Sequence, residues 1–440
     1  MIMPLPILEW SRLSPSERRN ALRRPVHATA DEIERAVRAT IADVRTRGDA
    51  ALFELTKKFD GVALDSLAVS TEEFAAAEKT LTTEQIRALE RAIENVRRFH
   101  EAQQSAPIVV ETAPGVVCER HYRAIDAVGL YVPAGVAPLP STAIMLAVPA
   151  KIAGCPTRVI CSPPRKDGRA DPTVLVTAKL CGIDRVFKVG GAQAIAAMAY
   201  GTESIPKVDK VFGPGSAWVT AAKILVANDP DGAALDLPAG PSEVLVVADS
   251  SANPTFVAAD LLAQAEHSAD AQVILISTSR ELLDAVDGEL AAQMRRLGRE
   301  RTLRESIQHA RLFYVESLEA AFEISNQYAP EHLIIQTEQA RSWLPRVRNA
   351  GSVFLGAWTP ETMGDYCSGT NHVLPTYGFA RAYSGLSLAD FTKRMTVQEL
   401  TADGLRGLGP TAVTIANMEG LDAHANAVEV RLASLQGSRS

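Results

Sequence analysis

Aromatic residues are scarce, at 5% of the 440-residue sequence, too thin a supply for a platform that stacks nucleic-acid bases. Excess positive charge is also missing. Lys and Arg number 45 against 52 Asp and Glu, a formal net charge of −7, which argues against generic affinity for nucleic acid or anionic membrane. The basic runs at 17–24 and 295–304 are interleaved with apolar residues and read as solvated helix faces. Cysteines are five, widely spaced and without a C-x-x-C pair, so neither a secreted disulfide framework nor a cysteine zinc knuckle is indicated. No uninterrupted apolar run is long enough to cross a bilayer. The apolar stretch Met1 to Trp10 lacks the basic start and cleavage site of a signal peptide. A cytoplasmic location is expected. What remains is an ordinary globular composition, 47% apolar and 22% charged, on a chain long enough for more than one domain.

Up to about Gln104 the pattern is helical. Thr29 to Glu32 reads as a cap with an acidic first turn, followed by Ile33, Val37, Ile41 and Val44 at helical spacing and a stop at Gly48. A second helix is expected from Thr83 to His100, with Ile86, Leu89, Ile93 and Val96 on one face. Between Asp126 and Asn228, strand and helix alternate. Strands are expected at 128–132, 158–161, 185–189 and 210–212, and helices at 141–153, 171–180, 193–199 and 217–227. A second block continues with strands at 244–247 and 273–276 around a helix opened by Asn253-Pro254. This alternation predicts an α/β fold of doubly wound parallel sheets. Pro133-Ala134-Gly135 and Pro238-Ala239-Gly240 form a faint internal echo. After Gly385 the chain is polar, then closes with apolar helical segments from Thr411 to Leu435 that are too few to enclose a core alone. They are expected to pack on something else, a partner subunit being one candidate.

Two turns follow a strand and open a helix: Gly190-Gly191-Ala192-Gln193 and Gly213-Pro214-Gly215-Ser216. They suit close approach of a pyrophosphate or ribose at a helix N-terminus, and equally suit plain tight turns. A G-x-G-x-x-G fingerprint is absent. Gln264 and His267, three apart near a helix end, can reach one metal ion, although a helix-end histidine also serves as a cap. In Tyr328-Ala329-Pro330-Glu331-His332 the proline stops a helix and places an acid beside an imidazole at a loop or strand start, able to divide proton transfer. The polar loop from Gly364 to Pro375, with Asp365, Cys367, Asn371 and His372, has no apolar period and is hard to explain by packing. Glu419 and His424 carry little signal alone. Cys155 and Cys367 are conceivable nucleophiles, but inert thiols are the expectation.

Taken in order, these segments resemble the histidinol dehydrogenase family across residues 30 to 435. The motifs are Gly129 to Pro133, Val189 to Ala194, Pro206 to Gly215, Leu237 to Glu243, Gln264 to His267, Tyr328 to His332 and Gly364 to Pro375. The resemblance implies NAD-dependent oxidation of L-histidinol through L-histidinaldehyde to L-histidine, the last step of histidine biosynthesis. It implies one zinc ion per subunit held by Gln264, His267, Asp365 and His424, and NAD contacts from Tyr131, Gln193 and Ser216. Substrate contacts are implied for Ser242, Gln264, His267, His332, Asp365, His372, Glu419 and His424. His332 is the implied general base and Glu331 the group that activates water.

The resemblance further implies two Rossmann-like, aldehyde-dehydrogenase-like domains and a homodimer with shared active sites. The division expected is an N-terminal segment at 1–30, a larger α/β domain at 31–128 plus 237–381, an NAD domain at 129–236, and a tail at 382–440 exchanged between subunits. One departure stands out. The family usually has asparagine after Gly-Pro-Gly, and this chain has Ser216, which offers a single hydroxyl. The alternative function is a related zinc-dependent dehydrogenase of a sulfonated propanediol or other polyol.

Overall fold

The computed structural model describes residues 4–25, 30–134 and 137–437; the expected cap at Thr29 and the echo residue Gly135 lie outside them. The chain forms two compact units, Met1–Ala102 with Ile125–Phe391, and Gln103–Ala124 with Thr392–Ser440.

The larger unit is built on two parallel sheets. One has six strands in the order Ile7–Glu9, Arg311–Tyr314, Gln272–Ser277, Glu243–Ala248, His332–Gln336, Ser352–Leu355. The strands Glu243–Ala248 and Gln272–Ser277 are buried at every position, as continuous β-branched runs in a parallel sheet covered on both faces require. Chain order reverses between Glu243–Ala248 and His332–Gln336, which pair with His332 opposite Val244. The other sheet has five strands in the order Val186–Lys188, Thr157–Ser162, Ala127–Tyr131, Lys210–Phe212, Ala234–Leu235, reversing between Ala127–Tyr131 and Lys210–Phe212. The α/β class with parallel sheets is therefore as expected.

The helices start where local chemistry says they should. Asn253 accepts a hydrogen bond from Thr255 N–H at 2.9 Å and precedes Pro254, opening Pro254–Ala265; Asp171 does the same for Pro172–Leu180. A side-chain acceptor at the cap and a proline in the first turn both suit the unpaired N–H groups there. Ile33, Val37, Ile41 and Val44 form the inner stripe of Ala30–Arg47 and join the core that covers the five-stranded sheet.

The smaller unit pairs Thr392–Leu400 with Val116–Ala124, and that strand with Ile108–Ala113, all antiparallel. Helices Ala402–Met418 and Asp422–Gly437 follow. The hairpin within 103–124, which the sequence-based division placed with the larger α/β domain, thus belongs with the C-terminal strand. The apolar side chains of this smaller unit are widely uncovered: Ile108, Val109, Val110, Ile415 and Val430 are exposed, and Met418 is 82% exposed.

Candidate active site

Glu331 and His332 stand at the amino end of the strand His332–Gln336, both nearly buried. The helix Leu318–Tyr328 ends in Ala329, which takes a left-handed conformation (φ 55°) before Pro330. The neighbouring strand comes close here, since Ser352 N–H bonds Glu331 O at 2.8 Å. Gly351 allows this approach: a Cβ there would lie 2.6 Å from the same carbonyl. On the other side Glu243 brackets the pair with its backbone. Its N–H donates to Glu331 Oε2 at 2.8 Å and its carbonyl lies 3.2 Å from His332 Nδ1. Ser242 immediately precedes that bracket.

Three carboxylates face the imidazole. Glu331 Oε2 is 3.6 Å and Glu361 Oε1 3.9 Å from Nδ1, and Asp365 Oδ1 is 3.7 Å from Nε2. Burial by itself would lower the His332 pKa, but the charges of Glu361, Glu331 and Asp365 outweigh it and hold it up at about 10. Burial pushes Glu331 and Glu361 up to about 8 each, against the pull of His332. Asp365 stays below its ordinary value, because His332, His372 and His267 together overcome its desolvation.

Gln264, wholly buried at the end of Pro254–Ala265, turns its amide nitrogen toward the Glu361 carboxylate, at 3.0 and 3.1 Å, with His332 Nδ1 2.8 Å away. His267, Glu361 and Asp365 each offer a ligand atom within 4.8 Å of the others. Buried His332 Nε2 and His372 Nε2 have no hydrogen-bond partner. The His267 imidazole, the Glu361 and Asp365 carboxylates and the Gln264 amide, with the unsatisfied ring nitrogens of His332 and His372 facing Asp365, form a donor set that fits a divalent cation such as zinc. The structure thus gathers Gln264, His267, Glu331, His332 and Asp365 in one place. Glu419 and His424 lie in the other unit, at the junction of its two helices, and both are exposed.

Glu361 was not anticipated. The segment around Asp365 reads as loop in sequence, but Glu361–Tyr366 is a helix. Glu361 and Asp365 are therefore four apart on one face, one turn from each other. Pro360 just before a carboxylate pair at that spacing was the available signal.

In the five-stranded sheet, the two glycine turns lie at strand carboxyl ends. Tyr131 closes Ala127–Tyr131, and its hydroxyl accepts from Gly191 N–H at 3.0 Å; burial pushes its pKa up to about 12. Gln193 is buried in the first turn of Gly191–Tyr200. Gly213 has φ 121°, and a Cβ there would meet the Tyr131 carbonyl at 2.2 Å, so only glycine closes this turn. Asp236 Oδ2 accepts from Gly213 N–H at 2.8 Å, Lys223 Nζ donates to Gly213 O at 2.9 Å, and Lys223 and Asp236 are themselves ion-paired. Ser216 is the exposed N-cap of Ala217–Ala227, and its hydroxyl makes no capping bond. Two helix N-termini with glycine turns, that of Gly213 where strand order reverses and that of Gly191 bonded to Tyr131 at the same end of the sheet, fit a dinucleotide. Three buried cysteines are held as inert thiols: burial raises Cys155 to about 11 and Cys181 to about 12, and raises Cys161 as well.

Fold and site together define an α/β enzyme with a buried acid–imidazole centre. A sequence model described as histidinol dehydrogenase matches residues 23–432. The histidinol dehydrogenase of Xanthomonas oryzae pv. oryzae is 58% identical over 426 residues, covering 97% of this chain and 99% of that protein. The one from Vibrio parahaemolyticus is 55% identical over 430 residues, covering 98% and 99%. The crystal structure of the enzyme from Elizabethkingia anophelis superposes with a TM-score of 0.94 at 44% identity, covering 99% of each chain. The chain belongs to the histidinol dehydrogenase family, oxidoreductases of the last step of histidine biosynthesis.

Proposed function

We propose that the chain oxidises L-histidinol through L-histidinaldehyde to L-histidine in two NAD-dependent steps, with Glu331 and His332 as its proton-transfer groups. The observation that carries this reading is the buried Glu331–His332 pair set against Gln264, His267, Glu361 and Asp365. When bound, NAD supplies the hydride acceptor and zinc a template that orients the substrate's nitrogen atoms. Gln264, His267 and Asp365, with His424 of the partner subunit, would hold the zinc; Tyr131, Gln193 and Ser216 would touch NAD.

His332, in its neutral form, takes the hydroxyl proton in the first oxidation. Its Nδ1–H donates to the Glu243 carbonyl at 3.2 Å, which leaves Nε2, without a hydrogen-bond partner in the protein, as the atom that accepts the proton. In the second oxidation Glu331, in its ionised form, removes a proton from the water that adds to the aldehyde, and His332 again accepts the proton of the adduct. Ser242, His372 and Glu419 are assigned to substrate positioning. Because both proton acceptors are supplied, no cysteine nucleophile is needed.

A homodimer with exchanged C-terminal tails completes the reading. The uncovered apolar side chains of the smaller unit support it, since surfaces of that kind mark interaction sites. Among the described residues no helix is long and apolar enough to cross a membrane. We assign the enzyme to the cytoplasm. The test is NADH formation with L-histidinol, lost on chelation and regained with zinc. NADH from a sulfonated propanediol but not from L-histidinol would overturn it.

A further inference from the structure

One buried cluster is not used by the mechanism: the Glu243 carboxylate and its partners. Arg24, from the segment before the first long helix, reaches Glu243 with two prongs, Nε to Oε2 at 2.7 Å and Nη2 to Oε1 at 3.2 Å. Its side chain is 12% exposed and that of Glu243 2%. Tyr328 O–H donates to the same carboxylate at 2.5 Å and Tyr377 N–H at 2.5 Å. The guanidinium also lies over the Tyr328 ring, 3.9 Å from its centroid. A planar fork that pairs a carboxylate and stacks on an aromatic face is chemistry lysine cannot reproduce.

Arg24 works on the catalytic pair from two sides. Through Glu243 it fixes the backbone N–H that binds Glu331 and the carbonyl that meets His332. Directly, Nη2 donates to the carbonyls of Tyr328 at 2.9 Å and Ala329 at 3.3 Å, the end of the helix that delivers Pro330-Glu331-His332. A cation there satisfies terminal carbonyls and complements the helix dipole. Among the described residues, Ala329 and Tyr377 are the non-glycine residues with positive φ, and both are hydrogen-bonded into this cluster. Backbone held in that region carries strain that only surrounding contacts maintain. Both strained residues thus hydrogen-bond to one ion pair, Ala329 through its carbonyl to Arg24 and Tyr377 through its N–H to Glu243.

We propose that Arg24 is a positioning residue for Glu331 and His332, acting through Glu243 and the Ala329 turn. The proposal rests on the reading of that pair as the proton-transfer groups. Arg24→Lys keeps the charge beside Glu243, so the fold survives, but it cannot span carboxylate and carbonyls together. Its kcat on L-histidinol is expected to fall on the order of tenfold, as small misplacement of catalytic groups does, with both KM values and zinc content unchanged. Arg24→Ala is expected to fall further and to recover turnover when methylguanidinium is added. A parent-like kcat in Arg24→Lys, or a loss explained by lost folded protein or lost zinc, overturns the proposal; if the alanine variant does not fold, the lysine variant decides. The underlying reading is tested separately in the parent background: if His332→Ala leaves turnover intact, the pair is misassigned whatever Arg24 does.

Discussion

The buried Lys223–Asp236 pair offers a test of how the expected NAD turn is held. Its side chains are 6% and 0% exposed, so neither charge has water to fall back on. Replacing Lys223 by Met leaves Asp236 buried and unpaired, which costs about 3–5 kcal/mol. It also removes the donor to Gly213 O, worth about 1 kcal/mol more. The loss should lower the thermal midpoint by about five degrees in a chain of this length. Because Lys223 and Asp236 grip the carbonyl and N–H of Gly213, the turn leading to Ser216 loosens as well. The KM for NAD should therefore rise while that for L-histidinol stays. The double variant Lys223→Met/Asp236→Asn leaves no buried charge and keeps an oxygen acceptor for Gly213 N–H. It should recover more than half the lost stability, a non-additivity expected only of groups in contact. Thermal unfolding of the parent, both single variants and the double variant, with both KM values measured, decides it. Additive losses, or an unchanged KM for NAD in Lys223→Met, would refute the reasoning.

Ser216→Asn should lower the KM for NAD about fivefold, since one restored neutral hydrogen bond is worth about 1 kcal/mol; an unchanged or higher KM would count against a cofactor contact there. Burial holds the Glu331 carboxyl up at about 8. It is thus mostly protonated below that pH and ionised above it, and histidinaldehyde oxidation should rise with pH through that region. Glu331→Gln should remove this rise and slow the aldehyde half more than the alcohol half, whereas His332→Ala should strongly reduce alcohol turnover; steady-state rates on each substrate check both. Glu361→Gln removes the carboxylate that holds the Gln264 amide and faces His267 and Asp365. It should release zinc to a chelator faster than the parent does, read by metal content after dialysis, and equal retention would remove Glu361 from the metal's surroundings.

Much of this architecture was legible because local signals agreed. Asn253-Pro254, Asp171-Pro172 and the Ile33-Val37-Ile41-Val44 stripe each set an element that the fold then uses. Glu331-His332 was legible as an acid–imidazole pair after a helix-stopping proline. What escaped detection depends on partners distant in sequence. Glu243 looks like the first residue of an apolar strand, yet its carboxylate is bound by Arg24, 219 positions away. Nothing in the local pattern of either residue announces the other. The hairpin of 108–124 and the strand Thr392–Leu400 escaped because their side chains are mostly exposed or half-buried. No buried face imposes the two-residue alternation by which a strand is recognised.

One arrangement runs against the general rule for open parallel sheets. Ligands in such folds gather at strand carboxyl ends, and the Gly190 and Gly213 turns obey it. The proposed catalytic pair does not: Glu331 and His332 precede or begin their strand, Glu243 begins the next one, and Ser352 the third. Helix polarity gives the reason. At strand carboxyl ends helices begin, and their N–H groups favour a pyrophosphate. At strand amino ends helices finish, so the site meets carbonyl-rich, partially negative termini. Gln264 and His267 sit at the end of Pro254–Ala265, and Tyr328 and Ala329 at the end of Leu318–Tyr328. That end suits a cation, an imidazolium and a guanidinium, and those are the groups found or expected there. On the proposed reading the two sheets divide the work by polarity: one would offer its anion-binding end to the cofactor's phosphates, the other its cation-binding end to metal and proton chemistry. Exchanging the ends would set phosphate against carbonyls and zinc against N–H groups, so on that reading the departure from the rule follows from the charge of the groups each end would hold.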